Sequence, residues 1–414
     1  MNRKRQGALW GLPTTVWALG LTSLLMDASS EMIHALLPVF LTGTLGASAL
    51  IVGLVEGLGE AVAAVCKLLG GALSDRLGRR KPVVVAGYGL AAVSKPLFAL
   101  ALSPAMVIAA RVIDRIGKGL RGAPRDALIA EWVDESRRGA AFGLRQSLDT
   151  IGALIGPLAA SLLVIAFAGE MRAVFLVAVL PAAMSVFVLI RWVRERPANT
   201  SCEDATGKDK DHAGSGMRWA DVPLVVRRLP WRFWIVVVLA VLLMGGRAGE
   251  AFLLLAASNH GLAAATVPLV FVTMNAVYAA SAYPVGRLAD RFGAGLPFLA
   301  GLLLLLVADV LLALAPPLPV FWLTIALWGL HMGLTQSLLL TLVAASLPDG
   351  ERGTGFGIFH MLFGLAALAA GLLAGRLWDI GGPALAYVTA AGLAGAALLW
   401  FGLHRPGSHP PTTS

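Results

Sequence analysis

Apolar stretches long enough to cross a lipid bilayer follow one another along almost the whole chain, and this feature constrains the fold more than any other. The hydrocarbon core of a bilayer is about 30 Å thick and takes roughly 20 consecutive apolar residues of α-helix. Charged residues make up only 14% of the 414 residues, against about 25% in ordinary soluble domains. The sequence therefore predicts an all-α membrane protein that crosses the bilayer many times, rather than a soluble domain with one anchor.

The polar breaks between the apolar stretches predict twelve transmembrane helices. Their approximate ranges are 13–40, 50–73, 82–102, 105–128, 139–167, 173–193, 231–257, 266–286, 295–315, 320–347, 353–375 and 383–403. Several tryptophans lie near the ends of these ranges, where interfacial anchors are found in membrane proteins.

Nearly all the lysines and arginines of the predicted loops lie on alternate loops. One side carries Arg3 to Arg5, Arg76 to Lys81, Arg137 and Arg138, Arg287, Arg291 and Arg352, whereas the other carries only Arg172 and Arg376. Basic loops stay in the cytoplasm, so both termini are expected there. The net charge of +9 follows from this topology, and we expect no nucleic-acid partner.

A polar segment divides the chain into two parts. Residues 199–216 are rich in Asp, Lys, Ser and Gly and have too few apolar residues to build a core. The predicted domains are a six-helix bundle over residues 1–196, a cytoplasmic linker over 197–230, and a second six-helix bundle over 231–414. Residues 218–228 mix apolar and basic side chains, which favours a short helix lying on the membrane surface.

Two loop motifs of the first bundle recur in the second. The segment GALSDRLG at 71–78 matches GRLADRFG at 286–293, and RGAAFG at 138–143 matches RGTGFG at 352–357. The matched positions are 215 residues apart in the first pair (75 to 290) and 214 in the second (138 to 352). An even number of helices per repeat predicts two bundles related by a pseudo-two-fold axis along the membrane normal, with the binding site at mid-depth between them.

The first of these loops resembles the signature of the major facilitator superfamily. The family pattern Gly-x-Leu-x-Asp-Arg-x-Gly-Arg is matched by Gly71, Leu73, Asp75, Arg76, Gly78 and Arg79, and the repeat supplies Asp290 and Arg291. The resemblance implies a twelve-helix transporter fold in which this loop acts as a cytoplasmic gate. An Asp that lies against a helix N-terminus of the other bundle favours one state of the transport cycle.

Two further motifs resemble those of the same family. Arg111, Gly117 and Gly119 match a fourth-helix motif whose arginine is tied to proton coupling in the family. Gly143, Gly152, Gly156 and Pro157 match the fifth-helix motif of the family's drug/proton antiporters, although Ala160 and Ser161 replace its final two glycines. Glycines permit close approach of a neighbouring helix, and this motif favours export.

Ionisable residues inside the predicted helices are candidates for function because each costs roughly 2.5–3.5 kcal/mol to insert. Asp27, Glu31 and His34 are spaced to share one helical face, as are Glu56 and Glu60. The other candidates for coupling or substrate binding are Arg111, Asp114, Arg115, Arg145 and Asp149. Three interpretations compete for Asp27 and Glu31: proton-coupling sites tuned by Arg111, binding of a transition-metal substrate together with His34, or a structural ion-pair network.

The resemblance and the buried charges together predict a secondary active transporter of the bacterial inner membrane. Proton-coupled efflux of a drug-like compound or toxic metal by alternating access is the leading hypothesis. Uptake of a siderophore or organic anion with protons is the alternative, and a non-transporting membrane sensor is a remote one. Enzyme motifs are absent from the sequence, so we expect no enzyme and no cofactor. The expected partners are the lipid bilayer, a small solute and protons, and we expect a monomer.

Overall fold

The computed structural model describes residues 11–195, 228–348 and 352–404, and every helix or strand assigned within these ranges is a helix. The central linker, including the interfacial helix expected near 218–228, lies almost entirely outside these ranges. The prediction of an all-α protein is confirmed.

The described part of the first half contains seven helices of at least 7 residues. They are α1 Thr14–His34, α2 Ala49–Leu77, α3 Lys81–Ala99, α4 Pro104–Trp132, α5 Glu135–Ala166, α6 Met171–Val177 and α7 Val179–Trp192. A short helix, Leu37–Val39, and a π-helical turn, Phe40–Thr44, continue α1 towards α2. Ala178 separates α6 from α7, so the predicted sixth span consists of two helices.

The second half contains six helices within residues 228–348 and 352–404. They are α8 Trp231–Gly246, α9 Glu250–Asn259, α10 Leu269–Phe292, α11 Gly295–Ala313, α12 Leu318–Ser346 and α13 Arg352–His404. The sequence predicts one span over 231–257, but the backbone breaks between α8 and α9, where Ala248 has φ 50° and Gly249 has φ 100°. The helix α13 is interrupted at Gly382, whose φ of 71° and ψ of −172° are not helical.

Ten segments of the described chain are long and apolar enough to cross a membrane. The helix α4 is not one of them because it carries many charged residues, and the segment 353–404 counts as one although it contains the break at Gly382. The total of twelve spans stays a prediction.

Glycine ends the helix at both copies of the repeated loop motif. Gly78 follows α2 with φ 59°, and Gly293 follows α10 with φ 83°. Residues with a Cβ rarely adopt positive φ, so glycine is suited to these two sharp turns. The repeated motif therefore has a structural role as well as the expected role in gating.

The two halves meet mainly where α2 packs along α13 and α5 packs against α10. A Cβ added to Gly53 would overlap the carbonyl oxygen of Gly371, and one added to Gly375 would lie 2.5 Å from the carbonyl oxygen of Ala49. Small residues thus allow α2 and α13 to touch through their backbones, as helices do in membranes.

One hydrophobic cluster joins the halves at a single end of the molecule. This shared cluster includes Phe40, Val52 and Phe175 from the first half with Phe252 and Ala374 from the second. It lies at the end opposite the loops that follow α2, α4 and α10; we call the end with those loops the basic-loop end. The shared cluster closes the space between the halves at the opposite end.

Candidate functional site

A cavity of about 800 Å³ lies between the two halves. Helices α1, α2, α4 and α5 form one wall, and α8, α9, α10, α12 and α13 form the other. The shared cluster closes it at one end. Towards the basic-loop end, the lining extends as far as Asp126 of α4, Arg145 of α5 and Phe359 of α13. The cavity is therefore reached from the basic-loop end.

Asp27, Glu31 and His34 of α1 all line the cavity, as their helical spacing predicts. The His34 ring lies between two carboxylates, with Nδ1 3.3 Å from Glu31 Oε2 and Nε2 3.0 Å from Glu56 Oε2. The same oxygen of Glu56 is 2.7 Å from Arg111 Nη2. A continuous chain of polar contacts thus connects α1, α2 and α4.

Four more ion pairs lie along the same wall. Glu60 Oε1 of α2 is 3.1 Å from Arg115 Nη1 of α4. Asp27 Oδ1 is 3.7 Å from Arg121 Nη2. Finally, Arg145 Nη1 of α5 lies 3.0 Å from Asp149 Oδ2 and 3.8 Å from Asp126 Oδ1.

Two of the predicted site residues lie behind this wall. Arg111 and Asp114 are 3% and 5% exposed and do not line the cavity. Asp114 Oδ1 accepts a hydrogen bond from Lys95 Nζ at 2.7 Å, and Lys95 also donates to Ser30 Oγ at 2.8 Å. Arg111, which the sequence suggests as a partner of Asp27 and Glu31, instead pairs with Glu56 of α2.

The arrangement does not favour a metal substrate on Asp27, Glu31 and His34. Among the residues that the structure describes, no three His, Cys, Asp or Glu side chains are placed to hold a metal ion. Both ring nitrogens of His34 contact carboxylates, and Asp27 faces Arg121.

The fifth-helix motif packs against the charged helix α1. A Cβ on Gly152 would lie 2.6 Å from the carbonyl oxygen of Leu24, and one on Gly156 would lie 2.6 Å from that of Ala28. Pro157 lies inside α5 directly after this contact. Gly143 has open space beside it, so the predicted close approach does not include this glycine.

The signature loop is exposed in this state of the molecule. Asp75, Arg76, Gly78 and Arg79 are exposed and Gly71 is partly buried. The side chain of Asp75 makes no hydrogen bond or ion pair with any described residue, although its backbone carbonyl accepts a hydrogen bond from Gly78 N. The adjacent Arg80 pairs with Glu131 at 2.5 Å, and Glu195 accepts hydrogen bonds from the backbone of Arg80 and Lys81. In the repeat, Arg291 is exposed, and the side chain of Asp290 is outside the described set.

The structure also brings in cavity residues that the sequence does not assign to coupling or substrate binding. Arg247 and Glu250 flank the break between α8 and α9 and lie 3.5 Å apart. The other additions to the cavity lining are Lys67, Lys118, Arg121, Arg125, Asp126, Asn275, Tyr278, Trp328, Gln336 and His360. The charged members stand out in the sequence as ionisable residues within apolar helices; their shared cavity depends on tertiary packing.

Asp379 makes a contact between the halves at the end closed by the shared cluster. Its Oδ1 and Oδ2 accept hydrogen bonds from the backbone nitrogens of Ala49 at 2.8 Å and Leu50 at 3.0 Å. A carboxylate of α13 therefore caps the N-terminus of α2, where it satisfies free N–H groups and interacts favourably with the helix dipole.

Sequence comparisons identify relatives that match nearly the whole chain. An uncharacterized protein of Mycobacterium tuberculosis is 31% identical over 393 residues, which are 94% of this chain and 93% of that protein. The multidrug resistance protein MdtH of Aeromonas hydrophila is 27% identical over 368 residues, which are 88% of this chain and 87% of that protein.

Solved structures share the fold at low sequence identity. The nucleoside transporter NupG has a TM-score of 0.75 at 14% identity and covers 94% of this chain and 99% of its own. A bacterial homolog of the human lysosomal transporter Spinster, solved in an inward-facing conformation, has a TM-score of 0.71 at 18% identity with 94% of both chains covered. The profile of the Major Facilitator Superfamily matches residues 19–258 and 248–414. The chain therefore belongs to the Major Facilitator Superfamily and is a multi-pass membrane transporter.

Proposed function

We propose that this protein exports a small, drug-like solute across the bacterial inner membrane in exchange for protons. The observation that carries the proposal is the cavity between the halves, which is closed at one end by packed side chains and open at the other. Rocking of the two halves about this central cavity, with six spans in each, exposes it to the two sides of the membrane in turn.

The orientation of the cavity matches the state in which an exporter takes up its substrate. Basic loops remain on the cytoplasmic side of a membrane, so the described state is open to the cytoplasm and able to load a cytoplasmic solute. A volume of about 800 Å³ is within the range of cavities that bind drug-sized molecules. The similarity to a protein named for multidrug resistance, over most of both chains, also supports export.

Asp27 and Glu31 are the carboxylates that we assign to proton coupling. Their side chains are 27% and 23% exposed to the cavity, so protons reach them from its open end. Each is paired with one described cation at more than 3 Å, whereas Glu56 lies 3.0 Å or less from both His34 and Arg111. Burial favours the neutral form of a carboxyl group, whereas a close cation opposes it. The cations of Asp27 and Glu31 are farther away than those of Glu56, so they oppose protonation less.

Protonation of either residue weakens its contact with a cationic side chain. Neutral Asp27 frees Arg121 of α4, and neutral Glu31 loosens its contact with His34, which then interacts with Glu56 of α2 alone. Proton binding therefore changes the contacts between α1, α2 and α4 that form the charged wall. This change links protonation to the arrangement of the cavity.

Transport in inside-out vesicles under an imposed pH gradient tests the proposal. A panel of lipophilic drugs and metal cations is added, and the collapse of the gradient is followed by fluorescence dequenching. Export of a panel compound is expected to collapse the gradient, and Asp27→Asn and Glu31→Gln are each expected to abolish this response while the protein still inserts. Glu170→Gln, which removes an exposed carboxylate far from the cavity, is the matched control.

Two results would contradict the proposal. If both variants respond like the wild type, neither Asp27 nor Glu31 is a proton-coupling residue. Proton-driven accumulation of the solute from the outside would establish uptake in place of export.

A further inference from the structure

The charged side chains that line the cavity differ in whether an oppositely charged group lies within 4.0 Å. Every carboxylate that lines it has a cationic group within 4.0 Å, either on the same wall or directly behind it. These carboxylates are Asp27, Glu31, Glu56, Glu60, Asp126, Asp149 and Glu250. The lining arginines are paired as well, and these are Arg115, Arg121, Arg125, Arg145 and Arg247.

Lys67 and Lys118 are different. Both line the cavity and are exposed to it, and neither has a carboxylate of the described chain within 4.0 Å. Lys118 lies within electrostatic range of Asp27, Glu31 and Glu60, but each of these carboxylates pairs with a closer cationic group. An ammonium group inside the membrane without a close carboxylate is costly, and such residues mark sites for substrates or ions. Among the described Lys and Arg side chains of the lining, these two are therefore the ones available to an added anion.

The two lysines belong to one helix contact. A Cβ on Gly119 would lie 2.5 Å from Cys66 Cβ, and one on Gly122 would lie 3.9 Å from Lys67 Cγ. Lys67 of α2 and Lys118 of α4 therefore lie beside the same contact between the two helices. His360 of α13 lines the cavity on the other half and lies within electrostatic range of Lys67.

The wall formed by the second half has a different character. It presents apolar and aromatic side chains together with a few neutral hydrogen-bonding groups. The apolar and aromatic members include Leu243, Met244, Phe252, Trp328, Leu339, Phe359 and Phe363, and the neutral polar ones are Asn275, Tyr278, Thr335 and Gln336. The charged residues of this wall other than His360 are Arg247 and Glu250, which neutralise each other.

We propose that the cavity binds an amphiphilic organic anion, with its acidic group at Lys67 and Lys118 and its apolar body on the wall of the second half. The claim that the bound molecule is transported rests on the proposed function, whereas the claim that it binds does not. A carboxylate, sulfonate or phosphate meets both lysines through charge-assisted hydrogen bonds, and the aromatic side chains of the other wall cover a ring system.

Three fluorescent probes that share one body separate charge from shape. Dansylglycine is an anion, dansylamide is neutral and dansylcadaverine is a cation. Binding is measured with the full-length protein in nanodiscs of zwitterionic phosphatidylcholine. Dansylglycine is expected to bind about tenfold more tightly than dansylcadaverine, which corresponds to about 1.4 kcal/mol.

Substitution of the lysines tests the position of the acidic group. Lys67→Gln and Lys118→Gln are each expected to weaken dansylglycine binding about five- to tenfold, with little effect on dansylamide. Arg376→Gln removes one exposed positive charge outside the cavity, and it serves as the control that leaves all three affinities unchanged. Equal or tighter binding of dansylcadaverine, no binding of any probe, or dansylglycine binding that ignores both lysines would overturn the inference.

A lipid headgroup and a free solute carry the same acidic chemistry, and phosphatidylglycerol distinguishes them. If adding phosphatidylglycerol to the nanodisc abolishes the lysine-dependent binding of dansylglycine, the anion site belongs to a lipid. Unchanged binding assigns the site to a solute.

Probe transport in proteoliposomes separates this inference from the proposed function. Proton-driven export of dansylcadaverine but not of dansylglycine would support the proposed export and overturn the anion site. Lysine-dependent binding of dansylglycine without transport of any probe would support the anion site and argue against transport.

Discussion

At the scale of single residues, the ion pair between Lys95 and Asp114 shows how the charged half is held together. Both side chains are almost completely buried, at 1% and 7% exposure, and their closest atoms are 2.7 Å apart. Neither lines the cavity. This pair therefore joins α3 to α4 behind the charged wall, and we assign it a structural role.

Removal of one partner of this pair is expected to destabilise the protein. Lys95→Met leaves the Asp114 carboxylate buried without its nearest cation, which costs roughly 3–5 kcal/mol. The double variant Lys95→Met/Asp114→Leu removes both charges and is expected to recover most of the loss. The melting temperature of the purified protein in detergent measures both effects. A double variant as unstable as the single one would contradict the structural role.

The predicted and observed partners of single residues differ for a physical reason. Helical spacing alone places Asp27, Glu31 and His34 on one face, and the structure agrees. The partner of Glu56 is Arg111, which is 55 residues away in the sequence, and this pairing depends on how α2 and α4 cross. Sequence spacing describes one helix at a time, so it finds the charged face but not its ion pairs.

At the scale of helices, the contact between α5 and α1 connects the fifth-helix motif to the charged wall. A Cβ on Gly156 would lie 2.8 Å from Glu31 Cβ as well as 2.6 Å from the backbone of Ala28. The motif thus supports the helix that carries Asp27 and Glu31. This link depends on two helices far apart in sequence.

Substitution of two glycines of this motif is expected to have unequal effects. Gly156→Ala forces α5 and α1 apart and is expected to cost about 1–3 kcal/mol, as overpacked cores do. Gly143→Ala is the matched control because nothing lies within 4 Å of its added methyl group. Thermal unfolding in detergent measures both. A Gly156→Ala variant that melts with the wild type would show that α1 and α5 are not tightly packed in the membrane.

The break between α8 and α9 is an element that the sequence does not predict. Residues 231–257 are apolar almost throughout, so composition indicates one continuous span. The structure instead has positive φ at Ala248 and Gly249, with Arg247 5.1 Å from the centre of the Trp328 ring. Interrupted helices at mid-depth are a feature of transporter binding sites, and hydropathy does not report backbone angles.

The cap that Asp379 places on α2 is expected to hold the closed end of the cavity together. Asp379→Ala removes both acceptors, which costs on the order of 1 kcal/mol and favours opening about fivefold. In a background lacking Cys66 and Cys202, labelling of Ala374→Cys in the shared cluster by a membrane-impermeant maleimide reports this opening. Asp134→Ala is the control because that N-cap makes no side-chain bond. Unchanged labelling in Asp379→Ala would show that this cap does not hold the closed end of the cavity together.

At the scale of the whole molecule, the two halves repeat in their loops but differ in their cavity walls. Loop motifs recur because each half needs the same turns with positive-φ glycines, at Gly78 and Gly293. The first half supplies most of the lining charges, and the second supplies an apolar wall with one ion pair. The repeat, the helical fold and the charged half are readable from sequence, whereas the cavity and its unpaired lysines depend on how the halves meet.

The account as a whole requires that the cavity open at one end as it closes at the other. Spin labels at Leu73→Cys and Gly353→Cys report the basic-loop end, and labels at Thr44→Cys and Ile380→Cys report the opposite end; all four positions are exposed. Distance distributions are measured by double electron–electron resonance in nanodiscs between pH 5 and pH 8, with Cys66 and Cys202 replaced by serine. The account predicts two distances for each pair, with populations that change in opposite directions as the pH changes. A single unchanging distance at both ends, or changes in the same direction, would contradict it.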